Sequence, residues 1–322
     1  MTHRLIEELF VAYFDNPQLR KLSDASILGR CNGDALFTTD SYVVDPIFFP
    51  GGDIGKLSVC GTVNDLAVAG ARPAFLSTGF IIEEGLPMED LRRVVASMAQ
   101  EARHAGVQIV TGDTKVVDKG KADKVFINTS GVGFLHPRFR ASGNAGISNG
   151  DKIIVNGNLG DHGIAVLAAR KDLEISSQIR SDCASLNALI NKILDQAEGM
   201  RMMRDLTRGG LATVMCEIAN RERIGIDLEE NSIPAGEQVK GICEMLGLDP
   251  LYLANEGKFV AIVDARSADK VLEIMKSDPL GQQARIIGEV VKEHPSRVVM
   301  QTQIGGRRII DMLTGEQLPR IC

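Results

Sequence analysis

Apolar residues recur along the first half of the chain with two periods, and the alternation between them predicts a succession of helices and strands. Over 4–14, Leu5, Ile6, Leu9, Phe10 and Phe14 fall at helical spacing, and over 36–44 the pattern turns strand-like. A helix follows over 54–70, with Leu57, Cys60, Val63 and Ala67 on one face, and then a strand over 73–84. The clearest helix is 88–104, where Leu91, Val94, Val95, Met98 and Ala102 form the stripe and Gly106 stops it. Strands over 107–110 and 125–135 complete this half.

A stretch rich in Pro, Gly, Ser and Asn at 136–150 is the best boundary in the sequence. The pattern then restarts with a strand over 151–156 that leads through Gly157 and Gly160 into a helix over 162–171. Further helices fit 184–197, 210–223, 235–246 and 268–276, and strands fit 224–228, 259–263, 284–291 and 297–302. The expected class is α/β (α+β) in two domains, 1–147 and 148–312. A polar tail, 313–322, follows, in which Gly315 and Pro319 break regular structure.

Composition narrows the partners. The 322 residues suffice for two cores. A formal net charge of -6 offers no general attraction to nucleic acid or anionic lipid, so small-molecule or protein partners are expected. No apolar run approaches the roughly 18 residues of a spanning helix, and the charged N-terminus does not resemble a signal peptide, so a cytoplasmic protein is expected. The six cysteines lie far apart and read as reduced thiols, with Cys60, Cys216 and Cys243 on apolar helix stripes. His3, His104, His136, His162 and His294 form no cluster and read as surface or structural residues.

Three acidic positions stand where strands end or helices begin: Asp40, Asp65 and Asp113. Carboxylates of this kind suit Mg²⁺, although Asp beside Gly, Ser or Thr is also ordinary turn and cap chemistry. Asp65 resists the bland explanation, because an unpaired carboxylate inside an apolar helix pattern is costly. Asp113, followed by Thr114 and Lys115 just after an apolar strand, looks like a loop that meets a ligand. Gly55-Lys56 lacks the flanking residues of a P-loop, and no GxGxxG occurs. The segment Arg204-Asp-Leu-Thr-Arg-Gly-Gly210 precedes a helix; its amides suit a phosphate, or Asp205 or Thr207 simply caps that helix. Asn255-Glu-Gly-Lys258 reads as a turn. Cys322, the last residue, is by position alone an incidental thiol.

Taken together, Thr39-Asp40-Ser41, Gly61-Thr-Val-Asn-Asp-Leu-Ala-Val-Ala-Gly-Ala-Arg-Pro73, Gly112-Asp-Thr-Lys115, Arg204-Asp-Leu-Thr-Arg-Gly-Gly-Leu211, Asn255-Glu-Gly257 and Pro319-Arg-Ile-Cys322 resemble one family over nearly the whole chain. It is the hydrogenase maturation family HypE, the carbamoyl dehydratases, within the ATP-using superfamily of aminoimidazole ribonucleotide synthetase and selenophosphate synthetase. The resemblance implies an N-terminal domain that forms a dimeric β-barrel-like core, a C-terminal α/β sandwich, and ATP with Mg²⁺ between them. It implies metal binding by Asp40, Asp65 and Asp113. Nucleotide contacts are implied for Asn64, Asp65, Gly112, Asp113, Thr114, Asp205, Thr207, Gly209 and Gly210.

The same resemblance makes Cys322 a covalent carrier, with Lys115 and Glu256 as the polar pair beside the reacting group. The implied reaction is ATP-dependent dehydration of an S-carbamoyl group on Cys322 to a thiocyanate, the source of cyanide ligands for a nickel-iron hydrogenase. Implied partners are a second copy of the chain, the carbamoyltransferase HypF that loads the thiol, and a HypC–HypD complex that accepts the cyano group. The alternative within the superfamily is an ATP-dependent enzyme acting on a free small molecule. Family members usually carry a Gly-rich segment ahead of the first helix, which is not seen before Met1, and weaker ATP binding is expected if that segment covers the nucleotide. The tail from Met312 could extend roughly 33–36 Å, so an inward and an outward state are expected.

Overall fold

The computed structural model describes residues 6–21, 25–29, 33–139, 146–170, 177–313, 315, 320 and 321. Cys31 and Cys322 lie outside the described residues. The first helical pattern becomes α1, a π-helical stretch, Ile6–Val11, running into one α-turn, Ala12–Phe14, and it buries Leu9 and Phe10. Strand β1 (Ala35–Tyr42) follows, then a short hairpin of β2 (Phe48–Phe49) and β3 (Gly52–Asp53). The Asp53 carboxylate accepts from the Gly55 and Lys56 amides at 2.8 and 3.2 Å and so caps α2 (Ile54–Val68).

Strand β4 (Ala71–Glu83), helix α3 (Met88–Ala105), β5 (Gln108–Val117) and β6 (Val125–Leu135) complete this unit. The sheet order is β1-β6-β4-β5, and only β4 and β5 are parallel, because α3 carries the chain back across the sheet between them. Helix α3 follows its sequence pattern closely: Leu91, Val94, Val95, Met98 and Ala102 are buried, and Gly106 caps it at φ 72°. Helix α2 differs. It is apolar and buried almost all round, because the sheet covers one side and α3 and the second unit cover the rest.

The second unit holds β7 (Lys152–Val155), α4 (Asp161–Ala168), α5 (Asn187–Gln196), β8 (Met200–Asp205), α6 (Gly210–Glu222), β9 (Gly225–Glu229), α7 (Glu237–Leu246), β10 (Phe259–Val263), α8 (Ala268–Lys276), β11 (Arg285–Val291), β12 (Arg297–Gln301) and β13 (Arg307–Ile310). Its sheet runs β13-β12-β9-β11-β7-β10-β8, antiparallel except for β12 beside β9. The two-residue period of the strands sorts their side chains onto two faces. Ile153, Val155, Val260 and Ile262 pack with Leu211, Met215 and Ile218 of α6. Ile154, Ala261 and Val263 pack with Ile190 and Ile193 of α5 and Val271 and Met275 of α8. Helices therefore cover both faces, an α/β sandwich.

Three elements depart from the sequence pattern. Strand β5 continues from the apolar 107–110 stretch through Gly112, Asp113, Thr114 and Lys115, which are strand rather than loop. Backbone pairing with β4 carries that extension and needs no apolar side chains. Strand β8 and strand β13 were not expected, since Arg and Met interrupt the apolar signal in the first and Arg307 and Arg308 in the second. The first sheet is open within one chain, and its outer face carries Phe37 and Ile81, 71% and 44% exposed, while Val116, opposite buried Ile82, belongs to the other face. Among the described residues no helix is long and apolar enough to cross a membrane.

Candidate active site

A cleft of about 800 Å³ opens where β1 and α2 meet β8 and α6, with Thr38, Asp65, Arg204, Asp205 and Glu217 among its walls. Asp65 stands on α2 at the sheet, and one of its oxygens accepts from the Thr38 hydroxyl at 2.9 Å. Burial raises its carboxyl pKa, and Asp40 adds to that rise. Asp40 follows Thr38 by two residues on β1, which puts the two side chains on one face. Asp205 ends β8; burial first and Asp65 second push its pKa up to about 7. Asp65 and Asp205 thus repel each other in the cleft and Asp40 adds to the repulsion on both, an excess of negative charge that suits a hard divalent cation.

The unpaired charge has a measurable consequence. An acid raised to about 7 in the fold and ordinary when unfolded makes the folded state lose stability as pH rises from about 4 to about 7. Asp205→Asn is therefore expected to exceed the parent in stability by about 1.5 kcal/mol at pH 5. At pH 8, without nucleotide, it should gain stability on the order of a few kcal/mol. A difference in melting temperature that does not grow with pH would remove this account of Asp205.

Behind the cleft lies the Asn255-Glu256-Gly257 segment, which sequence alone reads as a turn and which is in fact part of the core. Asn255 is buried; its oxygen accepts from the Gly160 amide at 2.8 Å and its amide donates to the Leu206 and Leu253 carbonyls. Glu256 is 3% exposed, and its Oε1 has no hydrogen-bond partner. Burial raises its pKa well above the ordinary value, and Asp182, Asp205, Asp40 and Asp65 push in the same direction. The Asp182 carboxylate accepts from the Glu256 amide at 3.1 Å, the Gly257 amide at 3.3 Å and Lys258 Nζ at 2.9 Å. Gly257 has no room for a side chain, because a Cβ there would stand 2.0 Å from the Asp182 carbonyl.

The expected site residues are not all gathered in one chain. Asn64 uses its whole side chain to join the two units: it donates to the Ala184 and Glu256 carbonyls at 3.0 and 3.3 Å and accepts from the Leu186 amide at 2.8 Å. Gly209 and Gly210 have φ of 77° and 58°, a backbone that glycine adopts without strain, and neither Asp205 nor Thr207 caps α6. Gly112, Asp113, Thr114 and Lys115 lie on β5, the far edge of the first sheet. Asp113 is opposite Gly79, Gly79 opposite Asn128, and Asn128 opposite Ser41, so three strand spacings, roughly 14 Å, separate Asp113 from Asp40.

Asp113 pairs with exposed Lys115, whose ammonium holds its carboxyl below the usual range. Among the described residues no three His, Cys, Asp or Glu side chains are gathered closely enough for a metal ion. The expected trio of Asp40, Asp65 and Asp113 is therefore not assembled within one chain, and Lys115 is not among the groups that act on Glu256.

Near the end of the chain, Ile321 is buried, 6% exposed, and packs in the cluster that includes Cys183, Ala254 and Phe49. Its carbonyl accepts from His162 Nε2 at 2.9 Å, and the Arg320 guanidinium pairs with Asp123 at 2.9 Å. The sequence reading missed Asp182 and Ser181, and it treated His162 as background. No local spacing marks them, since Asp182 meets Glu256 and Gly257 74 and 75 positions away, His162 meets Ile321 159 away, and Ser181 meets His162 19 away. Cys60, Cys183 and Cys243 are free and buried, as their apolar surroundings require, and Cys216 is free.

The fold and the acidic cleft define a class. The profile described as "AIR synthase related protein, N-terminal domain" matches residues 22–135, and that described as "AIR synthase related protein, C-terminal domain" matches 148–301. The chain is 52% identical over 320 residues to a carbamoyl dehydratase HypE of Cupriavidus necator, covering 99% of this chain and 91% of the relative. It is 48% identical over 324 residues to that of Escherichia coli, covering 99% and 95%.

A solved HypE in complex with ATP superposes with a TM-score of 0.95 at 48% identity, covering 100% of this chain and 96% of the other. A chain of a HypE–HypF complex gives 0.83 at 49% identity, covering 96% and 99%. Thiamine monophosphate kinase of Aquifex aeolicus, at 17% identity and a TM-score of 0.64 over 85% of this chain and 89% of its own, shares the fold alone. The chain belongs to the AIR synthase related family and, within it, to the carbamoyl dehydratase HypE group.

Proposed function

We propose that this chain removes water from a carbamoyl group carried on the sulfur of its own Cys322 and leaves a thiocyanate. The observation that carries the reading is the docked tail. Ile321, the residue before Cys322, is buried in the cluster that holds Ala254, one position from Asn255 and two from Glu256. Mg²⁺ and ATP, with Asp40 and Asp65 of one chain and Asp113 of a second copy as the metal carboxylates and Asp205 and the Thr207–Gly210 turn as nucleotide contacts, would supply a phosphoryl group that takes up the amide oxygen and a cation that offsets its charge. The excess of carboxylates in the cleft fits that pair. Glu256, with Oε1 unpartnered and its basicity raised by burial, is the candidate base for the carbamoyl nitrogen.

A second copy of the chain completes the site. The outer face of the first sheet is apolar at Phe37 and Ile81, and Asp113 and Lys115, opposite Gly79 and Ile81, lie exposed on that unit's edge strand. A homodimer through this sheet would form the barrel-like core and bring Asp113, Thr114 and Lys115 to the partner's cleft. The division at 147/148 and the separate tail from 313 belong to the same reading, with HypF loading the thiol and a HypC–HypD complex accepting the cyano group.

Intact-protein mass spectrometry after incubation with the carbamoyltransferase, a carbamoyl donor and ATP tests the reaction. A carbamoyl adduct that loses one water only with ATP supports it, and an adduct that persists with ATP removes it. Sharing between copies is tested by mixing equal amounts of Lys115→Ala and Glu256→Gln chains. Statistical reassortment should restore about a quarter of parent activity, because half of the dimers then hold one intact site of two. If Lys115 acted within its own chain, no mixture would recover activity.

A further inference from the structure

Two consecutive carbonyls at the end of the chain are held by different parts of the protein. The Arg320 carbonyl accepts from the Asp45 amide at 3.2 Å and from Arg170 Nη2 at 3.1 Å, near the surface. The Ile321 carbonyl lies inside and meets His162 Nε2 at 2.9 Å. His162 is fully buried in the first turn of α4, and the Phe49 ring stands against it edge-on with centroids 5.4 Å apart. The nucleotide cleft explains none of this, since His162 does not line it.

The direction of each hydrogen bond follows from the chemistry of the partners. A carbonyl only accepts, so Nε2 carries the proton. Nδ1 of the neutral ring then accepts, and Ser181 Oγ, 2.8 Å away, donates to it. Ser181 Oγ in turn accepts from the Cys183 amide at 3.1 Å. Burial favours the neutral ring that this relay requires. Every polar atom from the Cys183 amide to the Ile321 carbonyl is satisfied in one tautomer only.

The next residue in the same segment is Asp182, whose carboxylate accepts from the Glu256 and Gly257 amides. Ser181 itself is anchored from behind, its amide donating to the Pro50 carbonyl at 2.7 Å. Three consecutive residues thus hold both the tail and the loop of the candidate base. We propose that His162, backed by Ser181, is a positioning residue that fixes the register of the docked tail and so sets the Cys322 sulfur against Glu256. This rests on the dehydratase reading given above. A slip of one residue moves the tail by about 3.8 Å, more than the reach of a hydrogen bond, and withdraws Ile321 from its cluster. The exposed Arg320–Asp123 pair is too weak to prevent such a slip, because solvent screens it. The Asp45 and Arg170 bonds to the Arg320 carbonyl lie near the surface, and the buried imidazole adds the register contact that is shielded from water.

The test uses the full-length chain, carbamoylated by the carbamoyltransferase. Single-turnover dehydration with ATP is followed by intact mass, and alkylation of the free Cys322 thiol by iodoacetamide, in a separate portion left without carbamoylation and without ATP, is followed by peptide mass. His162→Leu should slow dehydration by about tenfold or more and speed Cys322 alkylation severalfold, with ATP affinity unchanged. His162→Gln, whose amide can still donate to the Ile321 carbonyl, should restore most of both. Ser181→Ala keeps the imidazole and should fall between them, which covers the case in which His162→Leu does not fold.

Parent rates of dehydration and alkylation in folded His162→Leu, or in Ser181→Ala, would overturn the proposal. So would a loss of ATP affinity that parallels the loss of rate, or a His162→Gln chain no better than His162→Leu. Alkylation reads the latch without the reaction, so a parent that fails to dehydrate would sink the function while leaving the latch tested.

Discussion

Replacing Cys322 with alanine is expected to abolish thiocyanate formation while leaving ATP binding close to that of the parent. The loss is complete because the thiol is the covalent attachment point, and no neighbouring group can hold the carbamoyl carbon in its place. The binding is retained because the nucleotide contacts proposed above stand on β1, α2, β8 and the start of α6 and include no residue of the tail. Thermal stabilisation reads that binding directly: a ligand at a hundred times its Kd stabilises the folded state by about 2.7 kcal/mol. Intact mass of the reacted variant should show no carbamoyl adduct and no dehydrated product. Activity of Cys322→Ala on a free small molecule would instead identify the other kind of enzyme in this superfamily. A large fall in ATP affinity would mean that the tail is part of the nucleotide site rather than an arm that visits it.

The second large effect is expected at Glu256. Glu256→Gln keeps the shape, the loop and the backbone bonds to Asp182, and it removes only the ability to take a proton. Dehydration of a carbamoylated tail should fall by about 10²–10⁴-fold, the usual contribution of a positioned general base. Stability should move the other way. Four carboxylates raise the Glu256 pKa on top of burial, so the ionised side chain is disfavoured in the fold as pH climbs above the ordinary carboxylate range. The amide escapes that penalty, and the variant is expected to melt at or above the parent temperature at pH 8. Carbamoyl loading should be unchanged. Parent-rate dehydration in Glu256→Gln would transfer the base role to another group and leave the buried carboxylate without a chemical purpose.

The apolar periods show why some of this was legible beforehand. Helix α3 and strands β6 and β10 were located almost to the residue, because each buries one face or both against a single layer and its own residues report that layer. Asp65 stood out for a related reason, as a carboxylate inside an apolar stripe, and it does face a group of like charges. Strand β5 was cut short because backbone pairing at a sheet edge leaves no mark in side-chain polarity. The Asn255-Glu256-Gly257 segment looked like a turn for the same reason, since its burial depends on Asp182, far away in the chain.

By itself, the sequence determined most of the helices and strands, with β8, β13 and the end of β5 among the exceptions, that the chain builds two α/β units, and which acidic and thiol side chains are available for chemistry. Those properties follow from local period and residue type. Tertiary structure alone decided which of them meet. It put Asp40, Asp65 and Asp205 around one cleft, left Asp113 and Lys115 across the sheet, and joined His162, Ser181 and Asp182 to the tail and to Glu256. The physical reason is range: helical and strand periods are set by neighbours a few residues apart, whereas pKa values and buried hydrogen bonds depend on groups brought together from anywhere in the chain.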